Sequence, residues 1–229
     1  NLELLLHWFF GLNVETTLVD TKCSSKSIVD WRHLAREVCS VANRNNKKKI
    51  GGPGHFVEID ETHLFRRKYN RGHRIKGESV WVLGGVDRAT KEKFLVRVDN
   101  RKKRTMWPIL KRHIAPRSIV ITDDHKSYKG IEGYLQLDAH EVVVHRYSFN
   151  NPLFPDIYTN TIESIWRPLK KLAKRSGSNA TIDLYIDEFL YRSKLQLEFG
   201  KRNYGTKFLR FMEDIRKVYP GPNKSIYKR

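Results

Sequence analysis

The apolar period of this chain changes from helical to strand-like near residue 50, and that change most constrains how it can fold. Before residue 43, apolar residues recur at helical spacing, as in SSKSIVDWRHLAREVCSVAN at positions 24–43. Residues 43–54, NRNNKKKIGGPG, are polar, basic and rich in glycine, which is typical of a domain boundary. From residue 55 the period becomes two, as in strands. We therefore predict a small helical domain at 1–46, a linker at 47–54 and a second domain beyond.

The helical domain has the order of a helix-turn-helix unit. LELLLHWFFG predicts one helix, VETTLVDT a short second one, and the longer helix follows a tight turn. Any small three-helix bundle has a similar pattern. The chain carries 44 Lys and Arg against 25 Asp and Glu, a formal charge of +19, which favours a polyanionic partner. We therefore expect binding to double-stranded DNA, with Lys26 among the contacts, and no membrane partner.

The second domain begins with strands and ends with helices. Three strand candidates are followed by a helix, two short apolar strands and a closing amphipathic helix: 55–64, 79–88, 93–101, 104–114, 118–124, 140–146 and 159–175. Pro108 would have to lie in the first turn of its helix. This order is found in the ribonuclease H-like fold, an α/β fold in which a mixed sheet is flanked by helices. We assign residues 55–180 to it, and expect 181–229 to be helices that pack on it.

Three carboxylates fall at informative positions in this order. We predict that Asp60 ends the first strand and that Asp123 ends the buried strand, which is its neighbour in such a sheet. Two carboxylates about 4 Å apart repel by about 4 kcal/mol at an effective dielectric of about 20, and a divalent cation offsets this repulsion. Oxygen ligands, with no CxxC pair and no closely spaced histidines, favour Mg²⁺ or Mn²⁺ over zinc.

The third carboxylate, Glu163, lies on the closing helix. At about 100° per residue it shares an edge with Arg167, Lys170 and Lys174, beside an apolar stripe. The stripe is made of Ile162, Ile165, Trp166, Leu169, Leu172 and Ala173. One acid followed by three bases suits a metal site next to a phosphate backbone. A solvated face with i,i+4 ion pairs explains the bases equally well.

The blocks VEIDET, ITDDHKSY and TNTIESIWRPLK resemble the catalytic blocks of the DDE transposases of the Merlin superfamily and their bacterial ISXO2-like relatives. The similarity is strong from about residue 51 to 175. It implies that Asp60, Asp123 and Glu163 hold two Mg²⁺ or Mn²⁺ ions per active site, which cleave transposon ends and transfer the strands into target DNA. Joining two ends implies at least a homodimer.

The resemblance also implies DNA contacts. Arg167 and Lys170 would bind phosphates near the site, with Lys174 one turn further. The basic segment RRKYNRGHR at 66–74 predicts a hairpin on the DNA backbone, through Arg66, Arg67, Lys68, Arg71 and Arg74, although a solvated basic loop has the same composition. The chain departs from the family at Tyr158, where relatives usually have histidine, and at Asp124, which we predict to take no part in catalysis.

Two other classes of protein fit parts of this pattern. A host-adopted descendant would bind DNA without transposing it, and retention of all three acids argues against this reading. A stand-alone nuclease of the ribonuclease H superfamily recognises the shape of its substrate, so the N-terminal helix-turn-helix, which reads DNA sequence, argues against this class. For each DNA-directed alternative we expect the nucleus in a eukaryote, and the cytoplasm or nucleoid otherwise.

Overall fold

The protein consists of two compact units. They comprise Asn1–Asn46 with Tyr191–Arg229, and Lys47–Leu190. The residues that the computed structural model describes are 2–45, 48–64, 80–143, 158–176 and 179–221. The described helices are α1 (Leu2–Phe9), α2 (Val14–Thr21), α3 (Ser25–Arg44), α4 (Lys103–His113), α5 (Ile131–Leu135), α6 (Asn160–Ala173), α7 (Ile182–Phe199) and α8 (Tyr204–Val218). The described strands are β1 (Phe56–His63), β2 (Trp81–Asp87), β3 (Lys93–Val98), β4 (Ile119–Asp123) and β5 (Ala139–Val143).

The first three helices follow the predicted order, and their ends have local causes. The Asn13 side chain accepts a hydrogen bond from the backbone N–H of Thr16 and begins α2, and the Ser24 hydroxyl accepts one from Ser27 and begins α3. Lys22, at φ 54°, ends α2 in the left-handed region. This is the helix, short helix, turn and long helix that the sequence predicts.

The C-terminal helices share a core with the N-terminal ones. Phe211 of α8 is fully buried, and its ring lies 5.1 Å from that of Trp8 and 5.7 Å from that of Phe9. The Tyr191 ring lies 6.0 Å from Phe211 in the same cluster. The start of α7, up to Leu190, packs on the second domain as we expected. Residues from Tyr191 onward group with the N-terminal helices instead, because the aromatic face of α8 is covered by α1 and α3.

The other unit is built on a mixed five-stranded sheet. Its strand order is β3-β2-β1-β4-β5. β1, β2 and β3 pair antiparallel, whereas β4 pairs parallel with both β1 and β5. Buried side chains of α4 and α5 cover one face, and those of α6 and the first part of α7 cover the other. The predicted ribonuclease H-like fold is therefore confirmed.

Three local features of this unit differ from the pattern that the sequence suggested. The second unit starts at Lys47, inside the predicted linker, and residues 48–54 belong to that unit: Ile50 is buried and pairs with Ile114, and the Gly52 N–H donates to the Ser118 hydroxyl at 2.9 Å. Pro108 lies in the middle of α4, where it is exposed, so the missing backbone donor falls on the solvent side. α5 was not predicted. In the described part of the chain, no helix is both long and apolar enough to span a membrane.

Candidate active site

Asp60 and Asp123 lie on one face of the sheet, at adjacent positions of two parallel strands. The register pairs Val57 with Val120 and Glu58 with Ile121, and the two aspartates come two residues further along each strand. Because side chains alternate along a strand, both point to the face that α6 covers, which we call the α6 face. β4 ends at Asp123, but β1 continues to His63, so Asp60 lies inside its strand rather than at its end.

Asp60 is a half-buried carboxylate without a basic partner among the described residues. Its Oδ2 accepts a hydrogen bond of 2.7 Å from the indole N–H of Trp166 on α6. Burial raises the pKa of Asp60 to about 6, and the negative charges of Glu61 and Asp123 add to the rise, whereas the bond from Trp166 opposes it. No basic side chain contributes to this shift, so the Asp60 carboxylate is buried without a positive charge beside it among the described residues.

Asp123 is held by the turn that follows it. Its Oδ1 accepts the backbone N–H of His125 at 3.2 Å, an Asx-type bond that fixes the carboxylate at the end of β4. Asp124 is exposed in the bend beyond the strand. The adjacent aspartates therefore differ in surroundings: Asp123 faces Asp60, and Asp124 faces solvent.

Glu163 lies in the first turn of α6, on the same side of the sheet. Two nearby residues of α6 bond to β1: the Ile162 N–H donates to Glu58, and the Trp166 indole donates to Asp60. The Glu163 side chain is exposed, and its Oε1 accepts the Thr159 hydroxyl at 2.9 Å. Within the described ranges, no three His, Cys, Asp or Glu side chains lie close enough together to hold a metal ion. The structure thus brings Asp60 and Asp123 together, but does not bring Glu163 to them.

The aspartate pair fits a hard divalent cation. Its donors are carboxylate oxygens, and the described residues place no lysine or arginine in an ion pair with either aspartate. A cation would offset the cost of burying the Asp60 charge and its smaller repulsion from Asp123. Glu163, whose Oε1 accepts the Thr159 hydroxyl, fits a third ligand by the chemistry of its carboxylate.

The predicted DNA contacts fall into three groups. Arg167 on α6 and Lys174 just after its last residue are exposed, and Lys170 is half-buried between them. Lys26 is exposed at the second position of α3. Arg66, Arg67, Lys68, Arg71 and Arg74 lie outside the described residues. The predicted apolar stripe of α6 is confirmed at all positions except Leu172, which is half-buried.

A buried ion pair that sequence reasoning missed anchors α6 to β1. Glu58 is fully buried, and its carboxylate accepts hydrogen bonds from Arg88 Nε and, at 2.9 Å, from the backbone N–H of Ile162. Arg88 also donates to the backbone carbonyl of Tyr158 and lies 3.8 Å from the centre of its ring. The only sequence signal was that Glu58 alternates with Asp60 in VEIDET, which places both on one face.

A second missed acid lies on the opposite face of β1. Glu61 is buried beneath the short helix Lys126–Tyr128, where it accepts the Tyr128 hydroxyl and, at 3.2 Å, Nη1 of Arg101. Burial raises the pKa of Glu61, and the bond from Tyr128 opposes this rise. Because Glu61 points away from Asp60, we assign it to the packing between β1 and the turn after β4.

Comparison with known proteins gives one strong match. Residues 50–194 match the family model described as the ISXO2-like transposase domain. This confirms the predicted family of DDE transposases, while the Merlin superfamily stays a prediction. No curated protein sequence matches the chain significantly.

Solved structures give distant similarities. The HTLV-2 integrase catalytic core domain, solved in complex with magnesium in a dimeric form, has 13% sequence identity and a TM-score of 0.41, over 61% of this chain and 85% of that one. The simian T-cell lymphotropic virus intasome, in complex with PP2A regulatory subunit B56 gamma, has 14% identity and a TM-score of 0.42, over 88% of this chain and 76% of that one. Both similarities are too distant to show a shared function.

Proposed function

Since the chain belongs to the ISXO2-like transposase family, we propose that it is a DNA transposase that cleaves transposon ends and transfers the strands into target DNA. The observation that carries this proposal is the pair formed by Asp60 and Asp123 on the α6 face, without a basic residue to neutralise it among the described residues. A pair of carboxylates at this position suits a reaction that needs divalent cations.

We propose that Asp60, Asp123 and Glu163 hold two Mg²⁺ or Mn²⁺ ions in each active site. When bound, the ions would stabilise the negative charge that develops on the attacking and leaving oxygens in phosphoryl transfer. Asp60 would hold the ions together with its hydrogen bond from Trp166, and Asp123 together with its hydrogen bond from the His125 N–H. Glu163 would complete the ligand set once its side chain reaches the pair.

The basic residues then hold the DNA. Three bases follow Glu163 and bind phosphates beside the scissile bond: Arg167 and Lys170 on α6, and Lys174 at its C-terminal end. The basic segment 66–74 extends this contact. In the other unit, α3 acts as the recognition helix of a helix-turn-helix, with Lys26 at its N-terminal end, where such helices contact DNA. We expect a homodimer because two ends must be joined, acting in the nucleus of a eukaryote or in the cytoplasm or nucleoid otherwise.

A cleavage and transfer assay tests this function. The full chain, incubated with labelled duplex carrying the transposon end, a supercoiled target plasmid and Mg²⁺, is expected to cut at the end and to join the labelled strand to the plasmid. EDTA should abolish both products, and Mn²⁺ should restore them. Cutting of any duplex without joining would support the stand-alone nuclease instead, and end binding without cutting would support a host-adopted DNA-binding protein.

The strength of DNA binding is expected to depend steeply on salt. If about six or more phosphates are contacted, affinity should fall roughly 10³-fold between about 50 and 200 mM monovalent salt, because each contact releases a condensed counterion. Fluorescence anisotropy with labelled end duplex measures the slope. The double variant Arg167→Ala/Lys174→Ala should lower the slope by about 2, and Lys201→Ala/Arg202→Ala, on the exposed turn before α8, serves as a matched change of charge. A flat response to salt would exclude a phosphate-dominated interface.

A further inference from the structure

Trp166 lies in an apolar cluster, but its indole N–H makes a polar contact with the sheet. The residue belongs to the buried stripe of α6 and packs with Ile162 and Leu95. Its indole N–H does not point to a backbone carbonyl but donates to Oδ2 of Asp60 at 2.7 Å, across 106 residues of sequence. A buried indole needs some acceptor, and here the acceptor is a proposed metal ligand.

A glycine in the neighbouring strand makes room for this contact. Gly84 of β2 pairs directly with Asp60 in the antiparallel register and so shares the α6 face. A Cβ at Gly84 would lie 2.6 Å from Cη2 of Trp166 and 2.8 Å from Cδ2 of Leu95, distances that no side chain tolerates without movement. A glycine inside a strand weakens the strand and often marks the close approach of another group. At Gly84 that group is the Trp166 ring.

The bond has a direct consequence for the Asp60 carboxylate. A carboxylate has two oxygens, and a donor fixed on one of them sets the direction of the other. The backbone N–H of Glu61 also interacts with this carboxylate, so the Trp166 indole is the side-chain donor that ties Asp60 to α6. Donors that orient metal-binding side chains typically change metal affinity 10- to 100-fold when removed.

We propose that Trp166 is a positioning residue: its indole N–H fixes one oxygen of Asp60 so that the other faces the cation site shared with Asp123, and Gly84 provides the space for its ring. This inference rests on the proposed function, because it requires that Asp60 binds a cation. A residue that only filled the core would affect stability and leave the affinity for the cation unchanged.

The test measures Mn²⁺ binding to the full chain by isothermal titration calorimetry, without DNA. Trp166→Phe keeps a ring in the core but removes the donor, and Mn²⁺ should bind about 10- to 100-fold more weakly. In the cleavage assay the same variant should need correspondingly more Mn²⁺ for half-maximal rate, while the rate at saturating Mn²⁺ changes less. Gly84→Ala should reproduce this effect by displacing the ring.

Gly85→Ala is the matched control. A Cβ at Gly85 would lie 2.3 Å from the Phe94 ring on the opposite face, so this variant also disturbs packing next to Gly84 but leaves Asp60 and Trp166 in place. Its thermal unfolding temperature should fall, and its affinity for Mn²⁺ should stay at the wild-type value. This comparison separates the loss of the donor from a general loss of stability.

The outcomes distinguish the two proposals. If Asp60→Asn loses Mn²⁺ binding while Trp166→Phe and Gly84→Ala bind Mn²⁺ as wild type does, the positioning role is overturned and the proposed function stands. If Gly85→Ala weakens Mn²⁺ binding as much as Gly84→Ala does, the effect belongs to packing and the positioning role is also overturned. A wild-type protein that binds no Mn²⁺ overturns both proposals.

Discussion

Asp60→Asn is expected to abolish metal-dependent cleavage while making the metal-free protein more stable at neutral pH. The loss of activity should be roughly 10³-fold or more, because bound cations supply several kcal/mol of stabilisation to the transition state and each 1.36 kcal/mol is about tenfold in rate. Asp123→Asn and Glu163→Gln should lose cleavage as well. Asp124→Asn, the same change one residue from Asp123, should retain it.

The gain in stability follows from the pKa of Asp60. Burial raises this pKa from 3.8 to about 6 in the folded protein. The folded state therefore holds the Asp60 proton more tightly than the unfolded state does. The stability that this protonation gives is complete below pH 3.8 and is lost as the pH rises through 6. Above pH 6 the ionised side chain destabilises the fold by about 2 to 3 kcal/mol. Asparagine removes the charge and keeps an acceptor for the Trp166 indole.

Urea unfolding in EDTA at several pH values measures this effect. Wild type and Asp60→Asn should have similar free energies of unfolding near pH 3.8 and diverge as the pH approaches 7, with the variant more stable. Mg²⁺ should then stabilise the wild type alone, since only it binds the ion. A difference that is independent of pH would refute the account of Asp60, and cleavage by Asp60→Asn would refute its catalytic role.

The sequence predicts the fold of this chain well because the evidence for each element is local. The helical spacing in α3, the alternation in β1 and the apolar run of β4 each indicate an element from its own residues, and their order specifies the sheet. Asp60 and Asp123 follow from this order, since parallel neighbours bring them to one face.

Contacts between distant residues were not predictable in the same way. The apolar stripe of α8 indicates that something covers it, but not that α1 and α3 do. Glu58 and Trp166 read as an ordinary strand acid and a core aromatic, and their partners lie 104 and 106 residues away in sequence. Such contacts depend on how α6 lies on the sheet, and the spacing of apolar residues within one element does not predict this arrangement. For the same reason the sequence could not predict that Glu163 bonds to Thr159 rather than joining the pair.

The anchor that sets the position of α6 leads to the second large prediction. Glu58→Gln is expected to destabilise the protein by about 3 to 5 kcal/mol, because it leaves the charge of Arg88 without its buried partner. Glutamine still offers an oxygen to the N–H of Ile162, so the change tests the ion pair and not the helix contact. Urea unfolding of wild type and variant gives the difference.

Cleavage should fall as well, by about 10²-fold, under conditions where Glu58→Gln is still folded. Arg88 fixes the backbone at Tyr158, just before Thr159, and a shift of about 1 Å in the first turn of α6 would misplace Glu163. Glu92→Gln is the matched control: its pair with Lys48 is exposed, and its stability should change by less than about 0.5 kcal/mol. If folded Glu58→Gln cleaves at the wild-type rate, the buried ion pair stabilises the sheet without positioning Glu163, and the active site owes its geometry to the Trp166 contact instead.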